Sequence, residues 1–201
     1  MIMVLVPGVA SAGAIVQCPS GITEWKLISG RTGVDTVQFS PDGQGCCHFN
    51  VWEGHRYTLV SAVPQFLVSD GRALDNGTDI PVTFTVSSSV SRTFSISATV
   101  GITATLVKDF LTSTVSTSIQ ASVTTAVGVT VSTTVPAHTR LIAEYGTNGY
   151  QVSYYIEAWR WKGPFGGQPP AAGTAGCEEW GYYPQNTQAP TNLETWRLRS
   201  G

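Results

Sequence analysis

The stretch "SISATVGITATLVKDFLTSTVSTSIQASVTTAVGVTVSTTV", residues 95–135, decides the fold. Hydroxyl and aliphatic residues alternate along it almost without charge. Traced back to residue 82, the apolar side chains occupy even positions: Val82, Phe84, Val86, Val90, Phe94, Ile96, Ala98, Val100, Ile102, Ala104 and Leu106. From residue 115 they occupy odd ones: Val115, Ile119, Ala121, Val123, Val127, Val129, Val131 and Val135. A period of two gives a strand one apolar and one polar face. The phase changes once, at "LVKDFLTS".

Opposed residues of an antiparallel hairpin have a constant index sum. A two-residue turn at Lys108-Asp109, or a four-residue loop from Val107 to Phe110, makes that sum 217. An odd sum pairs even positions with odd ones. Ile102 then faces Val115, Ala98 faces Ile119, Phe94 faces Val123 and Val90 faces Val127, with every apolar residue on one face. An even sum would set apolar residues opposite polar ones. One register therefore accounts for the phase change, although Lys-Asp is not a favoured two-residue turn pair.

The arms, residues 94–106 and 113–125, exceed the roughly 9–11 tilted residues that a membrane-spanning strand needs. The apolar face, Phe94, Ile96, Ala98, Val100, Ile102, Val115, Ile119, Ala121 and Val123, suits lipid. The hydroxyl face suits a water-filled lumen without fixed charge. A tip of Leu106, Val107, Lys108, Asp109, Phe110 and Leu111 sits where such a hairpin would lead insertion.

The flanks have a different composition. The chain has 201 residues, a formal net charge of −2 and only 12% charged residues, which excludes the basic footprint of a nucleic-acid binder. Of six Trp, seven Tyr and seven Phe, only Phe84, Phe94 and Phe110 lie between residues 82 and 135. The flanks can build an aromatic core and the middle cannot. The expected organisation is a head from residues 13–75 with 150–201, and an extended β module over 76–149 with the hairpin at 90–127. Residues 1–12 read as the remnant of a signal peptide, with Ala10-Ser11-Ala12 as a small-residue cleavage site; the other reading is a buried N-terminal strand. Short strands are expected at "TEWKLI", "TVQFS", "HFNVWEG" and "RYTLVSAV", with turns at Pro41-Asp42-Gly43 and Asp70-Gly71. A hairpin turn is expected at Asn148-Gly149, and an irregular C-terminal stretch from Cys177 onward.

Four cysteines in a secreted chain suggest two disulfides. Cys46 and Cys47 are adjacent, and a bridge between neighbours is strained. The expected pattern joins one of them to Cys18 and the other to Cys177, tying both chain ends into the head. Cys46, Cys47, His48 and His55 also present thiolate and imidazole ligands, but not at the spacing of a structural zinc site, and disulfides are the expectation. No metal and no cofactor is expected.

The section from "NGTDIPVTFTVSSSVSRTFSISATVGITATL" through "VKDFL" and "TSTVSTSIQASVTTAVGVTVSTTV" to "VPAHTRLIAEY" resembles the aerolysin-like family of β-pore-forming toxins. The resemblance covers residues 76–160. It implies an elongated all-β fold of long twisted antiparallel strands, a soluble form that assembles with copies of itself, and one hairpin per subunit joining a membrane barrel. The partners it implies are other copies of the chain and a target-membrane lipid or glycan receptor. The chain departs from the family in its short length and in lacking an evident receptor-binding repeat or dibasic activation site.

Ser/Thr/Val alternation also fits a secreted β-sandwich with one face in water, so a non-lytic adhesin or adaptor stands as the alternative. No G-x-S-x-G, P-loop or HExxH motif occurs, and no enzyme is expected. Glu178-Glu179 reads as solvated surface, and His138 has no nucleophile beside it in the sequence. Trp159, Trp161, Trp180, Tyr182 and Tyr183 suit core packing, sugar stacking or a membrane interface. Asn76-Gly77-Thr78 is a glycosylation sequon.

Overall fold

β-Branched and aromatic residues carry the backbone through three strands several times the usual five or six residues. A computed structural model describes residues 16–28, 49–98, 101–164 and 168–201. Its strands are β1 (Val16–Gln17), β2 (Ile22–Leu27), β3 (Phe49–Asn76), β4 (Val82–Ser87), β5 (Thr93–Ser95), β6 (Ser122–Thr124), β7 (Thr130–Val135), β8 (Thr139–Pro164) and β9 (Ala175–Ser200). One helix, α1, covers Ala104–Thr114. A five-stranded sheet runs in the order β1-β9-β8-β3-β2, and β4-β7 and β5-β6 form two separate ladders. All pairings described are antiparallel. The all-β expectation therefore holds.

Two expected turns are strand instead. Asp70-Gly71 lies within β3, and Asn148-Gly149 lies within β8. Gly149 serves close packing: a Cβ there would sit 2.8 Å from the Ala189 carbonyl oxygen. Gly146 has the same role against the Leu67 carbonyl. The stretch after Cys177 is not irregular either, because β9 runs to Ser200.

The chain divides into two compact units, and the division falls inside the long strands rather than at residues 75 and 150. The first comprises residues 1–58 and 154–185, the second residues 59–153 and 186–201. Residues 59–75 and 186–201 thus belong with the alternating section.

In the first unit Cys18 is bonded directly to Cys177, across 159 positions of sequence. This overturns the expectation that each pairs with Cys46 or Cys47; those two, with His48, lie outside the described residues. Cys18, Cys177 and Trp159 form a buried cluster against Ile22, Trp25 and Trp161. Trp159 and Trp161 are thus packing residues, whereas Tyr182 is exposed and stacks on Tyr155 at 5.1 Å. Half-buried ion pairs brace the strands. Arg160 Nη2 lies 2.6 Å from Glu53 Oε1, and Arg56 forks onto both oxygens of Glu157. Glu178 and Glu179 lie on β9, and burial pushes the His55 imidazole down.

In the second unit β4 and β7 lay their apolar face on the sheet. Buried Leu74, Val135 and Ala143 pack with Phe84, Val86, Leu141 and Trp196. The turns beyond this ladder are built on Asn76, which is 4% exposed. Its side-chain amide donates to the carbonyls of Ile80, Val135 and Pro136 at 2.8–3.0 Å, and its oxygen accepts from the Thr78 amide and hydroxyl. The sequon asparagine is therefore a structural residue, with its nitrogen already used. His138, at φ +53° in the neighbouring turn, contacts Asp79 at 2.7 Å.

Replacing Asn76 by Ala strands three carbonyls and the Thr78 amide. It is expected to lower unfolding free energy by about 2–3 kcal/mol, measured by urea titration. An unchanged midpoint would show that water replaces the amide without cost.

Candidate functional site

Residues 82–135 form a hairpin docked on the sheet, and its register is that derived from the alternation. Val82 faces Val135, Phe84 faces Thr133 and Val86 faces Val131 in the outer ladder. Phe94 faces Val123 in the inner one. Between and beyond them the Ser88 amide bonds to the Val129 carbonyl, the Thr125 amide to the Arg92 carbonyl and the Ile96 amide to the Ala121 carbonyl. Each of these pairs sums to 217. Thr83–Thr134, Thr85–Ser132 and Thr93–Thr124 bring hydroxyl oxygens to 3.1, 2.7 and 2.8 Å on the exposed face. The opposite residues, Phe94, Val123, Phe84 and Val86, are half-buried.

The ladder is interrupted at a waist, residues 88–92 and 125–129, where its backbone groups turn to side chains. The Asp70 carboxylate, on β3, accepts from the Ser89 amide at 2.7 Å, the Val90 amide at 3.3 Å and the Ser89 hydroxyl at 3.2 Å. The Ser69 hydroxyl donates to the Val90 carbonyl and lies 2.6 Å from the Thr125 hydroxyl. On the returning strand the Ala126 amide donates to Glu194 of β9 at 3.0 Å, and Tyr145 donates to the same oxygen. The Trp196 indole donates to the Val129 carbonyl at 3.3 Å. Both strands are thus pinned by side chains of the sheet, and at one end the Gly128 amide takes the Ser88 carbonyl in place of the Val129 amide, which turns to the Ser88 hydroxyl.

Past Ile96 and Ala121 the hairpin departs from the expected geometry. The Ser97 amide turns to the Thr187 hydroxyl, and the Gln120 amide to the Pro190 carbonyl. Ile119 is fully buried and bridges Thr191 of β9, so it does not face Ala98. Ile102 is buried and Val115 caps the helix, so these two do not pair either. Ala98 is exposed, Ala121 is half-buried, and Val100 lies outside the described residues.

The tip is helix rather than strand. Thr103 caps α1, its hydroxyl accepting from the Leu106 amide. Val107 and Leu111, one turn apart, are fully buried, with Leu106, Lys108 and Phe110 half-buried and Asp109 exposed. Thr112, Ser113 and Thr114 return their hydroxyls to carbonyls three or four residues back. Eleven residues with four hydroxyl side chains, no acid in the first turn and no base in the last make a marginal helix alone. Burial of Val107 and Leu111, worth about 1.5–3 kcal/mol each, is what holds it.

Asp70, Glu194, Ser69 and Thr187 are not marked by any sequence pattern. Asp70 in particular reads as a turn residue beside Gly71. Burial alone would raise its carboxyl, but the Ser89 and Gly71 amides, Arg72 and the Ser89 hydroxyl hold it below its ordinary 3.8. Arg197 and, beyond it, Arg199 hold Glu144 below its ordinary 4.5 against the opposing effect of burial. Burial and Glu194 push Tyr145 up to about 12, so it remains a donor.

No protein family and no curated protein matches the chain. Among solved structures it resembles the parasporin-2 toxin of Bacillus thuringiensis, described as recognizing cancer cells, at 13% identity and a TM-score of 0.28, over 76% of this chain and 77% of that one.

Both depressed carboxylates stabilise the fold above their ordinary values, and that stability is lost as pH falls through their lower folded values. Asp70→Asn is expected to cost about 1–3 kcal/mol at pH 7. It should also flatten the loss of stability below pH 4 relative to wild type, read from urea midpoints between pH 7 and 2. Parallel profiles would mean that Asp70 does not hold the waist.

Proposed function

We propose that the chain is a secreted β-pore-forming protein that assembles with copies of itself and inserts the hairpin centred on residues 90–127 into a target membrane. The observation that carries this reading is the constant index sum on both sides of the waist. Residues 89–91 and 126–128 can close into one ladder once the Ser88 carbonyl passes from the Gly128 amide to the Val129 amide. The same sum continued through 97–120 sets Ile102 opposite Val115 and returns the chain at Lys108-Asp109. The helix is the segment that must unwind, and it has little propensity of its own.

The released hairpin would present Phe94, Ile96, Ala98, Val100, Ile102, Val115, Ile119, Ala121 and Val123 to lipid, and its hydroxyl ladder to water. In a closed barrel every backbone group of both arms is paired, as the hydrocarbon region demands. The Leu106–Leu111 tip, with Val107, Lys108, Asp109 and Phe110, would cross first. The Cys18–Cys177 bridge supports an oxidising, extracellular setting. The chemistry asked of the chain is binding and insertion, not catalysis. A non-lytic adhesin using the same docked form is the second reading, favoured by the exposed Tyr182 beside Tyr155 and by Trp180 beneath Arg160 at 5.0 Å.

Two cysteine pairs separate the readings. Ser69→Cys with Thr125→Cys joins the hairpin to β3, where the native hydroxyls lie 2.6 Å apart. Thr93→Cys with Thr124→Cys joins the two arms of the hairpin, where they lie 2.8 Å apart. The first lock is expected to reduce dye release from lipid vesicles at least tenfold until a reductant is added. The second should leave it near wild type, because that pairing persists in a barrel. A wild-type protein that neither releases dye nor forms detergent-resistant rings would leave the adhesin reading in its place.

A further inference from the structure

Trp196 turns into the cluster beneath β4 and β7, so its neighbour Arg197 points to the other face of the sheet. There a groove of about 420 Å³ opens within the second unit. Phe66 and Tyr150 contribute its aromatic surface, and Gln65, Asn148 and Ser118 contribute polar groups. Arg197 is its one charged lining residue. Its guanidinium lies 4.4 Å from the Phe66 ring centroid and donates to Glu144 through Nε and Nη2, at 3.1 and 2.6 Å. Arg199 Nε donates to the other Glu144 oxygen at 3.0 Å.

Two guanidinium groups therefore share one carboxylate, which leaves a net positive charge at the groove wall. Arg197 is 46% exposed and keeps Nη1 for a further acceptor. Aromatic faces accept the C–H surface of a sugar ring, and side-chain amides and hydroxyls match its hydroxyl groups. A single net charge, with no second basic side chain in the lining, does not suit a polyphosphate or nucleic acid.

We propose that this groove binds an acidic sugar: the pyranose ring lies against Phe66 and Tyr150, its carboxylate meets Arg197, and Gln65, Asn148 and Ser118 take its hydroxyls. The volume accommodates one or two rings. Ser118 adjoins Ile119, the residue stitched to Thr191 of β9, and Thr191 also lines the groove. A sugar seated there contacts the segment that returns from α1. On the pore reading, and only on it, this groove is the receptor contact that bears on release of the hairpin; the binding itself does not depend on that reading.

Titration of the full chain with 3′-sialyllactose, followed by saturation-transfer NMR, tests the site. Sialyllactose is expected to bind at least tenfold more tightly than lactose. Arg197→Gln should abolish that preference. Gln65→Ala, on the exposed rim, should weaken binding at least threefold with an unchanged melting temperature, and so stands if the arginine variant fails to fold. Vesicles carrying a sialylated glycolipid should retain the protein, while phosphatidylserine vesicles of equal charge should not. Equal binding of lactose, displacement by an equal concentration of acetate, or equal retention on phosphatidylserine would overturn the proposal, as would no binding at all. Sugar binding without vesicle leakage would sink the pore reading and leave this one intact.

Discussion

A single register constrains the alternating section: residues that face each other across it add to 217, from Val82 and Val135 to Ile96 and Ala121. Because side chains alternate with period two, this odd sum gathers the apolar residues of both arms onto one face. That face docks against Leu74, Ala143 and Trp196 in the outer ladder. A slip of one residue would turn Phe84 and Val86 to water and bury hydroxyls in their place. The docked position, the exposed hydroxyl ladder and the location of the waist all depend on this register.

The waist shows how a backbone can leave a ladder without leaving polar groups unpaired. In a continuous hairpin Val90 would pair with Val127, while the Ser89 and Ala126 amides would point outward, away from the partner arm. Here the Ser89 and Val90 amides donate to Asp70 and the Ala126 amide to Glu194, and the Ser88 hydroxyl takes up the Ala126 carbonyl and the Val129 amide. Buried carboxylates are strong acceptors for amides, and Arg72 compensates the charge on Asp70 at 3.0 Å. Each of these amides therefore has an acceptor in the docked form.

The apex departs from alternation altogether. Val107 and Leu111 fit a period of two only as a break in phase, yet they lie one helical turn apart and bury together. Thr112 and Thr114, which alternation would assign to the polar face, and Ser113 between them bond to their own helix carbonyls instead. The first unit is held by covalent and ionic links. The disulfide ties Cys18 to β9, and the Arg56–Glu157 and Arg160–Glu53 pairs hold β8 to β3.

Over residues 82–96 and 121–135 alternation determined the shared apolar face and the register, because a period of two is a local property that each residue carries wherever the chain goes. The same property says nothing about which surface the face meets, so the docking against Leu74 and Trp196 was decided by tertiary structure. Asp70-Gly71 and Asn148-Gly149 carry the local signature of turns, but at Gly146 and Gly149 the close approach of Leu67 and Ala189 decided in favour of continuous strand. Cysteine spacing left the pairing open, and only the meeting of β1 with β9 brought Cys18 to Cys177. At residues 104–114 the pattern permits both strand and helix. Two buried side chains decided for helix, because the hydrophobic contribution of Val107 and Leu111 outweighs the weak propensity of the hydroxyl residues around them.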